Sequence, residues 1–199
     1  MDPLHMVRNE TEQRFKMLFE MSRRLVVSLN LNDILQAAVD GVATVAGLDT
    51  AAVYLLDDSV LRLYNTMPPL PSDVPESLRY AMVADHPHIR QAIETASPLF
   101  IPDVINVTLS AAEQAVVSLR TLRTILYLPL IAEAEVLGAM IVGSVESPVV
   151  LADTAVDLSY TLANFAALAV KNAQLFEAGK RYSAELEQTL ADRKKTGNI

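Results

Sequence analysis

The chain of 199 residues contains no cysteine and no tryptophan. The absence of cysteine excludes disulfides, thiolate metal sites, thiol catalysis and any cofactor attached through sulfur. It also fits a cytoplasmic protein, which is the location that we expect. Basic residues are in the minority, 16 against 24 acidic ones, and most of them are scattered along the chain. We therefore expect no nucleic-acid partner, because such a partner requires a basic face.

Long uninterrupted hydrophobic runs are also missing. The most apolar stretch, residues 124–143, is broken by Pro129, Glu133 and Glu135, so it cannot cross a bilayer as one helix. We expect no membrane insertion and find no pattern of a signal peptide. Residues 1–6, MDPLHM, resemble a cloning leader and are left out of the fold argument. The rest is long enough for one domain with an appended helix.

Two helices are predicted at the start of the chain. Residues 7–29 carry apolar side chains three and four positions apart, which is typical of an amphipathic helix. A second helix is predicted over the segment DILQAAVDGVATVAG. The side chain of Asn30 or Asn32 can cap its N-terminus, and Gly47 suits a left-handed C-cap.

The hydrophobic period then changes from that of a helix to that of a strand. Two β-rich runs, at residues 50–56 and 60–66, flank the polar turn DDS, which predicts a β-hairpin. Residues 67–97 contain two predicted short helices, ESLRYAMVAD and HIRQAIETA. Residues 98–104 are predicted to form a third strand.

A capping box opens the next predicted helix. Ser110 and Glu113 have the S-x-x-E spacing in which the two side chains bond reciprocally to backbone N–H groups, and the segment AAEQAVVSLRTL follows. Residues 123–131 and 135–146 are strongly apolar on either side of a short polar turn. They predict a central hairpin that is buried on both faces.

This order of elements predicts an α+β fold, with helices on the faces of an antiparallel sheet. The run LRTILYLPLIAEAEVLGAMIVGSVE, followed by LANFAALAVKNAQLFE, resembles the closing half of a GAF domain. The segment NLNDILQAAVDGVATVAGLDTAAVYLLD resembles the opening helix and first strand of that family. The resemblance implies a GAF/PAS-like sheet of five or six strands with long N- and C-terminal helices. It divides the chain into an N-terminal helix (7–29), a GAF-like domain (30–178) and a helical extension (179–199).

The final helix is predicted to run from about Ala152 to about Arg193, further than a compact domain needs. Positions three and four apart along it form a coiled-coil seam. The seam consists of Phe165, Leu168, Asn172, Leu175, Gly179, Tyr182, Leu186 and Thr189. We expect a parallel homodimer through both terminal helices. Its candidate interface residues are Phe15, Leu18, Leu25, Leu168, Asn172, Leu175, Tyr182 and Leu186. The alternative is a frayed tail without a partner.

The resemblance also implies a ligand pocket between the sheet and the insert of residues 67–122. The candidate ligand-binding side chains there are Tyr80, His88, Arg90, Thr108, Arg120, Arg123 and Tyr127. A guanidinium among them could bind an anionic ligand, and a hydroxyl could offer a hydrogen bond in an apolar cavity. The alternatives are ion pairs with surface carboxylates for the arginines and ordinary packing for the others.

The segment DHPHIR, residues 85–90, holds two histidines two positions apart. Such residues do not share a helix face, and no third ligand completes a metal set, so we expect no metal site. Pro87 suits the first position of a helix, which makes a plain helix start the simpler interpretation. Haem ligation by His86 or His88, as in some GAF sensors, is the alternative.

The chain departs from several branches of the family. It lacks the Asn-Lys…Phe…Asp-Glu signature of cyclic-nucleotide-binding members, a cysteine for a bilin, and the catalytic thiols of the free-methionine-sulfoxide reductases. Its final helix has no histidine that could accept a phosphoryl group. No GxSxG, P-loop or GxGxxG motif occurs, and we expect no catalysis by this chain.

The resemblance implies a cytoplasmic sensory module that binds an unidentified small ligand and signals through its dimeric terminal helices. The output domain would be, for example, a histidine kinase. The sequence identifies no cofactor. The main alternative is a ligand-free dimerisation scaffold, whose insert would leave no cavity of about 300 Å³ or more. A haem-based gas sensor is the third hypothesis.

Overall fold

The structure, a computed structural model, describes residues 28–71, 75–76 and 79–196, with side chains up to Thr189. Four isolated residues nearer the N-terminus are also described, and all are helical: Lys16, Phe19, Glu20 and Arg23. The predicted interface residues Phe15, Leu18 and Leu25 lie outside the described residues.

The chain folds into helices and strands in the order α, β, β, β, α, β, α, β, β, α. The helices are α1 (Leu31–Ala46), α2 (Pro87–Thr95), α3 (Ala111–Arg120) and α4 (Asp153–Thr196). The strands are β1 (Thr50–Asp57), β2 (Val60–Met67), β3 (Tyr80–Met82), β4 (Leu99–Ile101), β5 (Leu122–Ala132) and β6 (Glu135–Val145). Short 3₁₀ turns follow β3 and β4.

One six-stranded sheet organises the fold, in the strand order β3-β2-β1-β6-β5-β4. Every neighbouring pair is antiparallel. The two long strands β5 and β6 lie near the middle, as their continuous apolar runs predict. The predicted α+β class and the sheet of five or six strands are confirmed.

The sheet buries apolar side chains on both of its faces. On one face α1 and α4 pack together over the inner strands, and their contacts enclose the larger cluster of buried residues. On the other face α2 and α3 cover a smaller cluster. Helices therefore lie on both faces, as predicted, and the cluster of buried residues is larger on the face with α1 and α4.

The predicted helix caps are present. The side chain of Asn30 accepts from the backbone N–H groups of Asn32 and Asp33, and Gly47 ends α1 in the left-handed region at φ 66°. Ser110 and Glu113 form the reciprocal capping box at the start of α3. These caps depend on neighbours within a few residues, so the sequence specifies them directly.

Three predicted boundaries are wrong. The segment ESLRYAMVAD is not a short helix, because Tyr80–Met82 forms edge strand β3 beside β2. The strand predicted over 98–104 is only Leu99–Ile101, since prolines at both ends cannot donate to the ladder. The helix after Ser110 ends at Arg120 and not at residue 122, because Leu122 already belongs to β5.

The centre of the sheet depends on two backbone features. Glu133 and Ala134 both adopt positive φ, 50° and 67°, in the two-residue turn between β5 and β6. Such turns usually contain glycine, and this one contains none. At Gly138 an added Cβ would lie 2.0 Å from the carbonyl oxygen of Tyr54. Only glycine therefore allows β6 to approach β1 this closely.

Helix α4 is longer than the body it packs against. Its 44 residues span about 66 Å at a rise of about 1.5 Å each. Among the side chains described, Ala173 is the last buried one, and every side chain from Gln174 to Thr189 is exposed. The 23 residues after Ala173 extend for about 35 Å.

Candidate functional site

Strand β5 connects the two faces of the domain. Ile125 and Tyr127 belong to the cluster beneath α2 and α3. Leu126 and Leu128 belong to the cluster with α1 and α4. This division follows from the alternation of side chains along a strand. A displacement of β5 therefore acts on both faces.

A cavity of about 220 Å³ lies between the sheet and helices α2 and α3. It occupies the predicted region between the sheet and the insert. Its walls come from β1, β3, α2, α3, β5 and β6 and are mostly apolar. The lining residues are Tyr54, Tyr80, Ala81, His86, Ile89, Ala112, Glu113, Ala115, Val116, Val117, Leu122, Ile125, Tyr127 and Ile141.

Two tyrosines in this lining are deeply buried, Tyr54 with 7% and Tyr127 with 3% of its surface exposed. Among the described residues, neither hydroxyl has a hydrogen-bond partner, and neither oxygen is fully enclosed by protein atoms. Burial holds the pKa of Tyr127 well above its ordinary value, and the carboxylate of Glu113 adds to this effect. Burial also raises the pKa of Tyr54, against a smaller opposing effect of Arg120. Both side chains remain neutral phenols, which can donate and accept.

Glu113 is a buried carboxylate at the wall of the cavity. Its oxygens accept from the backbone N–H of His88 at 2.9 Å, from the backbone N–H of Ser110 at 3.0 Å, and from Nδ1–H of His88 at 2.9 Å. The His88 ring in turn stacks on Tyr127, with ring centroids 6.1 Å apart. One carboxylate thus joins the N-termini of α2 and α3, where the helix dipoles also favour a negative charge.

His86 lines the cavity immediately before α2. Its Nδ1 donates to the carbonyl oxygen of Met82 at 3.0 Å, because a carbonyl can only accept. In the neutral ring this leaves Nε2 as an acceptor, and no hydrogen bond to it occurs among the described residues. The predicted helix start at Pro87 is confirmed.

A smaller cavity of about 40 Å³ adjoins the first and shares Tyr54, Val116, Leu122 and Ile141 with it. Arg120 lies in its wall and donates from Nη1 to the hydroxyl of Thr50 at 2.6 Å. Burial lowers the pKa of Arg120, and the proximity of Tyr54 opposes that shift. Among the described residues that line the two cavities, Arg120 is the only lysine or arginine, and it lines the smaller one.

The predicted ligand-binding residues occupy three kinds of place. Tyr80 and Tyr127 line the main cavity, and Arg120 lines the smaller one. His88 lines neither cavity but bonds Glu113, which lines the main one. Arg90, Thr108 and Arg123 line neither cavity. Arg90 lies 4.0 Å from Glu94 on the surface, and Thr108 is exposed.

Arg123 bonds Asp103 at 2.9 Å, and this hydrogen bond holds the pKa of Asp103 below its ordinary value. These two surface pairs are the alternative that we gave for the arginines.

Two polar cavity residues, Tyr54 and Glu113, are absent from the sequence-based ligand contacts, and His86 appears there only as an alternative haem ligand. Tyr54 lies within an apolar run, and only its pairing with β6 decides which face it joins. The sequence predicts Glu113 as a capping residue. Its contact with His88 links positions 25 apart, and no local signal could have indicated it.

All eight positions of the predicted seam on α4 are exposed in the single chain. Leu175 is 59%, Tyr182 65% and Leu186 46% exposed. These side chains lie along one stripe of the helix at three-four spacing. None of them packs into the hydrophobic core of the domain.

The sequence matches the GAF domain family over residues 30–170. The chain belongs to the GAF domain family. GAF domains are a sensory and regulatory fold of signalling proteins, so the resemblance seen in the sequence is confirmed. A comparison with curated proteins finds no match.

Solved structures share the fold of this GAF domain at low sequence identity. The GAF domain of a phosphoenolpyruvate-protein phosphotransferase from Coxiella burnetii is 19% identical, with a TM-score of 0.70, covering 83% of this chain and 96% of that one. The corresponding domain from Acinetobacter is 16% identical, with a TM-score of 0.65 and coverages of 82% and 95%. At this identity the likeness shows the fold alone.

An enzyme has the same fold. The free methionine-R-sulfoxide reductase from Neisseria meningitidis is 14% identical, with a TM-score of 0.65 and coverages of 81% and 90%. The described residues of this chain contain no group of three His, Asp or Glu side chains that could hold a metal ion. None of its described helices combines the length and hydropathy of a membrane span.

Proposed function

We propose that this GAF domain is a cytoplasmic sensory module that binds a small ligand in the main cavity. It relays occupancy through paired α4 helices to an output domain such as a histidine kinase. The observation that carries the proposal is the double role of β5. Ile125 and Tyr127 line the cavity, while Leu126 and Leu128 support the helix that extends beyond the domain.

A second contact joins the cavity side to α4. Helix α2 begins at the cavity, where His86 and Ile89 form part of the wall. At its other end the carbonyl oxygen of Ala96 accepts from the hydroxyl of Tyr160 on α4, at 2.7 Å. A shift of α2 upon ligand binding would therefore pull directly on the inner half of α4. Such a two-state element, biased by a ligand, is the basis of a signalling switch.

The outer half of α4 requires a partner, for which we propose a second copy of the chain. An exposed stripe of large apolar side chains on a narrow face suits a coiled coil. Charges of both signs flank the stripe: Glu177, Lys180, Arg181, Glu185 and Glu187. Asn172 supplies the polar seam residue that would fix the register.

Sedimentation velocity of the wild type and two double variants tests the dimer. Leu175→Glu with Leu186→Glu places four acids in the paired seam and should give a monomer. Ile105→Glu with Val150→Glu is the matched control, since both side chains are exposed elsewhere on the domain. It should stay dimeric.

A wild-type monomer at concentrations of tens of micromolar would contradict the proposal. So would a seam variant that sediments as the control does. Circular dichroism of both variants checks that the domain remains folded.

The ligand-free scaffold remains the second candidate function, because the cavity of about 220 Å³ lies below the usual lower limit of about 300 Å³ for ligand pockets. It predicts the same dimer without a ligand. The haem hypothesis requires a ring nitrogen that can coordinate iron. Nδ1 of both His86 and His88 is already bonded to a protein acceptor, so Nε2 is the nitrogen that each could offer. Haem reconstitution with His86→Ala and His88→Ala controls tests that hypothesis through the Soret band.

A further inference from the structure

Tyr54 and Tyr127 line a cavity that is otherwise apolar, and neither hydroxyl has a hydrogen-bond partner among the described residues. Neither oxygen is fully enclosed by protein atoms, so each can donate to or accept from a molecule in the cavity. Resting on the proposed ligand-binding function, we infer that the cavity takes a neutral ligand with one ring and a hydrogen-bonding substituent, of the primary amide class. Its carbonyl oxygen accepts from the hydroxyls of Tyr54 and Tyr127.

The size of the cavity sets the size of the ligand. An apolar protein cavity of about 150 Å³ holds benzene. The cavity of about 220 Å³ therefore has room for a six-membered ring and one small substituent. A nucleotide or a fused-ring cofactor is too large. Ile89, Ile125 and Ile141 supply apolar contacts for such a ring.

The charges around the cavity select against ions. Among the described lining residues there is no lysine or arginine, and the carboxylate of Glu113 repels an anionic ligand. That carboxylate already accepts three N–H bonds, which leaves little capacity for a cationic ligand. A buried ion without a partner is strongly destabilised, whereas a neutral amide is not.

The hydrogen-bonding groups define the substituent. Tyr54 and Tyr127 line the same cavity and keep their protons because burial raises the pKa of both phenols, so each can donate to a carbonyl oxygen there. His86 offers Nε2 as an acceptor when its ring is neutral. A primary amide carries both the carbonyl acceptor and the N–H donor that this set requires.

Four probes of one shape test the inference. Benzamide is neutral, benzoate is its anionic counterpart, benzamidinium is its cationic counterpart, and toluene lacks hydrogen-bonding groups. Titrations of the full chain, followed by the methyl NMR signals of the cavity isoleucines, give the dissociation constants. Benzamide should bind at least about tenfold more tightly than either ion and about fivefold more tightly than toluene.

Two variants assign the hydroxyls. Tyr54→Phe and Tyr127→Phe keep the ring and remove the hydroxyl, so each should weaken benzamide about fivefold and leave toluene unchanged. Unchanged toluene binding also shows that the variant is folded. Tyr64→Phe is the matched control, because Tyr64 is exposed on β2 and lines neither cavity.

Each outcome decides. Tighter binding of benzoate or benzamidinium overturns the ligand class and leaves a ligand-binding sensor standing. Benzamide binding that neither variant weakens also overturns the class. If none of the four probes binds, the inference is wrong, while the sedimentation test decides the dimeric relay without any ligand.

Discussion

The inner half of α4, Asp153–Ala173, and its outer half, residues 174–196, share one exposed apolar stripe, but among the described side chains only the inner half also packs into the domain. The inner half buries chiefly small residues against the sheet, among them Ala163, Ala166 and Ala167. Its bulky Phe165 and Leu168 are exposed. The outer half buries nothing among its described side chains. It continues the same exposed stripe with Leu175, Tyr182 and Leu186.

This comparison shows how one helix serves two surfaces. Small side chains let α4 lie close to the sheet beside α1, so movements of β5 reach it at short range. The larger side chains are free for a partner, and the stripe continues without interruption from one half to the other. A rotation of the inner half would therefore reorient the entire seam.

The largest difference between the halves should appear on truncating one leucine in each. Leu162→Ala removes a fully buried side chain and should cost about 2–5 kcal/mol of the free energy of unfolding. Leu175→Ala changes an exposed side chain and should cost less than about 0.5 kcal/mol in the monomer. Urea denaturation at two protein concentrations measures both.

The loss in Leu162→Ala should be the same at both concentrations. That in Leu175→Ala should appear only at the higher one, where a second copy binds. Equal losses in the two variants at low concentration would remove the distinction between the halves.

Removing one hydroxyl from each half should give a smaller difference. Tyr160→Phe breaks the bond to the carbonyl oxygen of Ala96 and should lower the free energy of unfolding by about 1 kcal/mol. Tyr182→Phe, in the outer half, should have no effect, because Tyr182 is exposed. Thermal unfolding of both variants checks this. A neutral Tyr160→Phe would mean that α2 and α4 are not coupled through this contact.

The smallest effect is expected at Gly179, which lies on the seam within the outer half. An added Cβ meets no atom within 4 Å, so Gly179→Ala should stabilise the helix by about 1 kcal/mol. Amide exchange of residues 175–189 should slow about fivefold. Ala178→Gly is the opposite control and should accelerate it. Unchanged exchange in Gly179→Ala would contradict the cost to the helix that is assigned to Gly179.

Local features of this fold could be predicted from the sequence. Asn30, Gly47 and the Ser110–Glu113 box interact with neighbours in the chain, and each is where the pattern predicts it. The hairpin of β5 and β6 follows from its continuous apolar runs. The edge strand β3 could not be predicted, because three residues with one buried side chain carry too little periodicity.

The candidate site was less predictable because distant pairings build it. Tyr54 faces the cavity only through the register of β1 with β6, and Glu113 reaches His88 across the gap between two helices. The two arginines show the converse case. Arg90 and Arg123 are near the insert in sequence, but in the structure they lie beside the surface carboxylates of Glu94 and Asp103.

The most direct test of a shared α4 uses distances between spin labels, which the absence of native cysteine makes simple. Gln174→Cys and Gln188→Cys lie two heptads apart on exposed positions, so a parallel pair of helices predicts the same short distance, below about 40 Å, at both sites. Ala112→Phe places a ring in the cavity, and Ala111→Phe, on the exposed side of α3, is its control.

Without a cavity substitution, the account predicts the same distance between paired spin labels at residue 174 and at residue 188. It predicts that these distances change when Ala112→Phe is added and stay the same when Ala111→Phe is added. Absent or unequal distances, or distances that the ring in the cavity leaves unchanged, would contradict it.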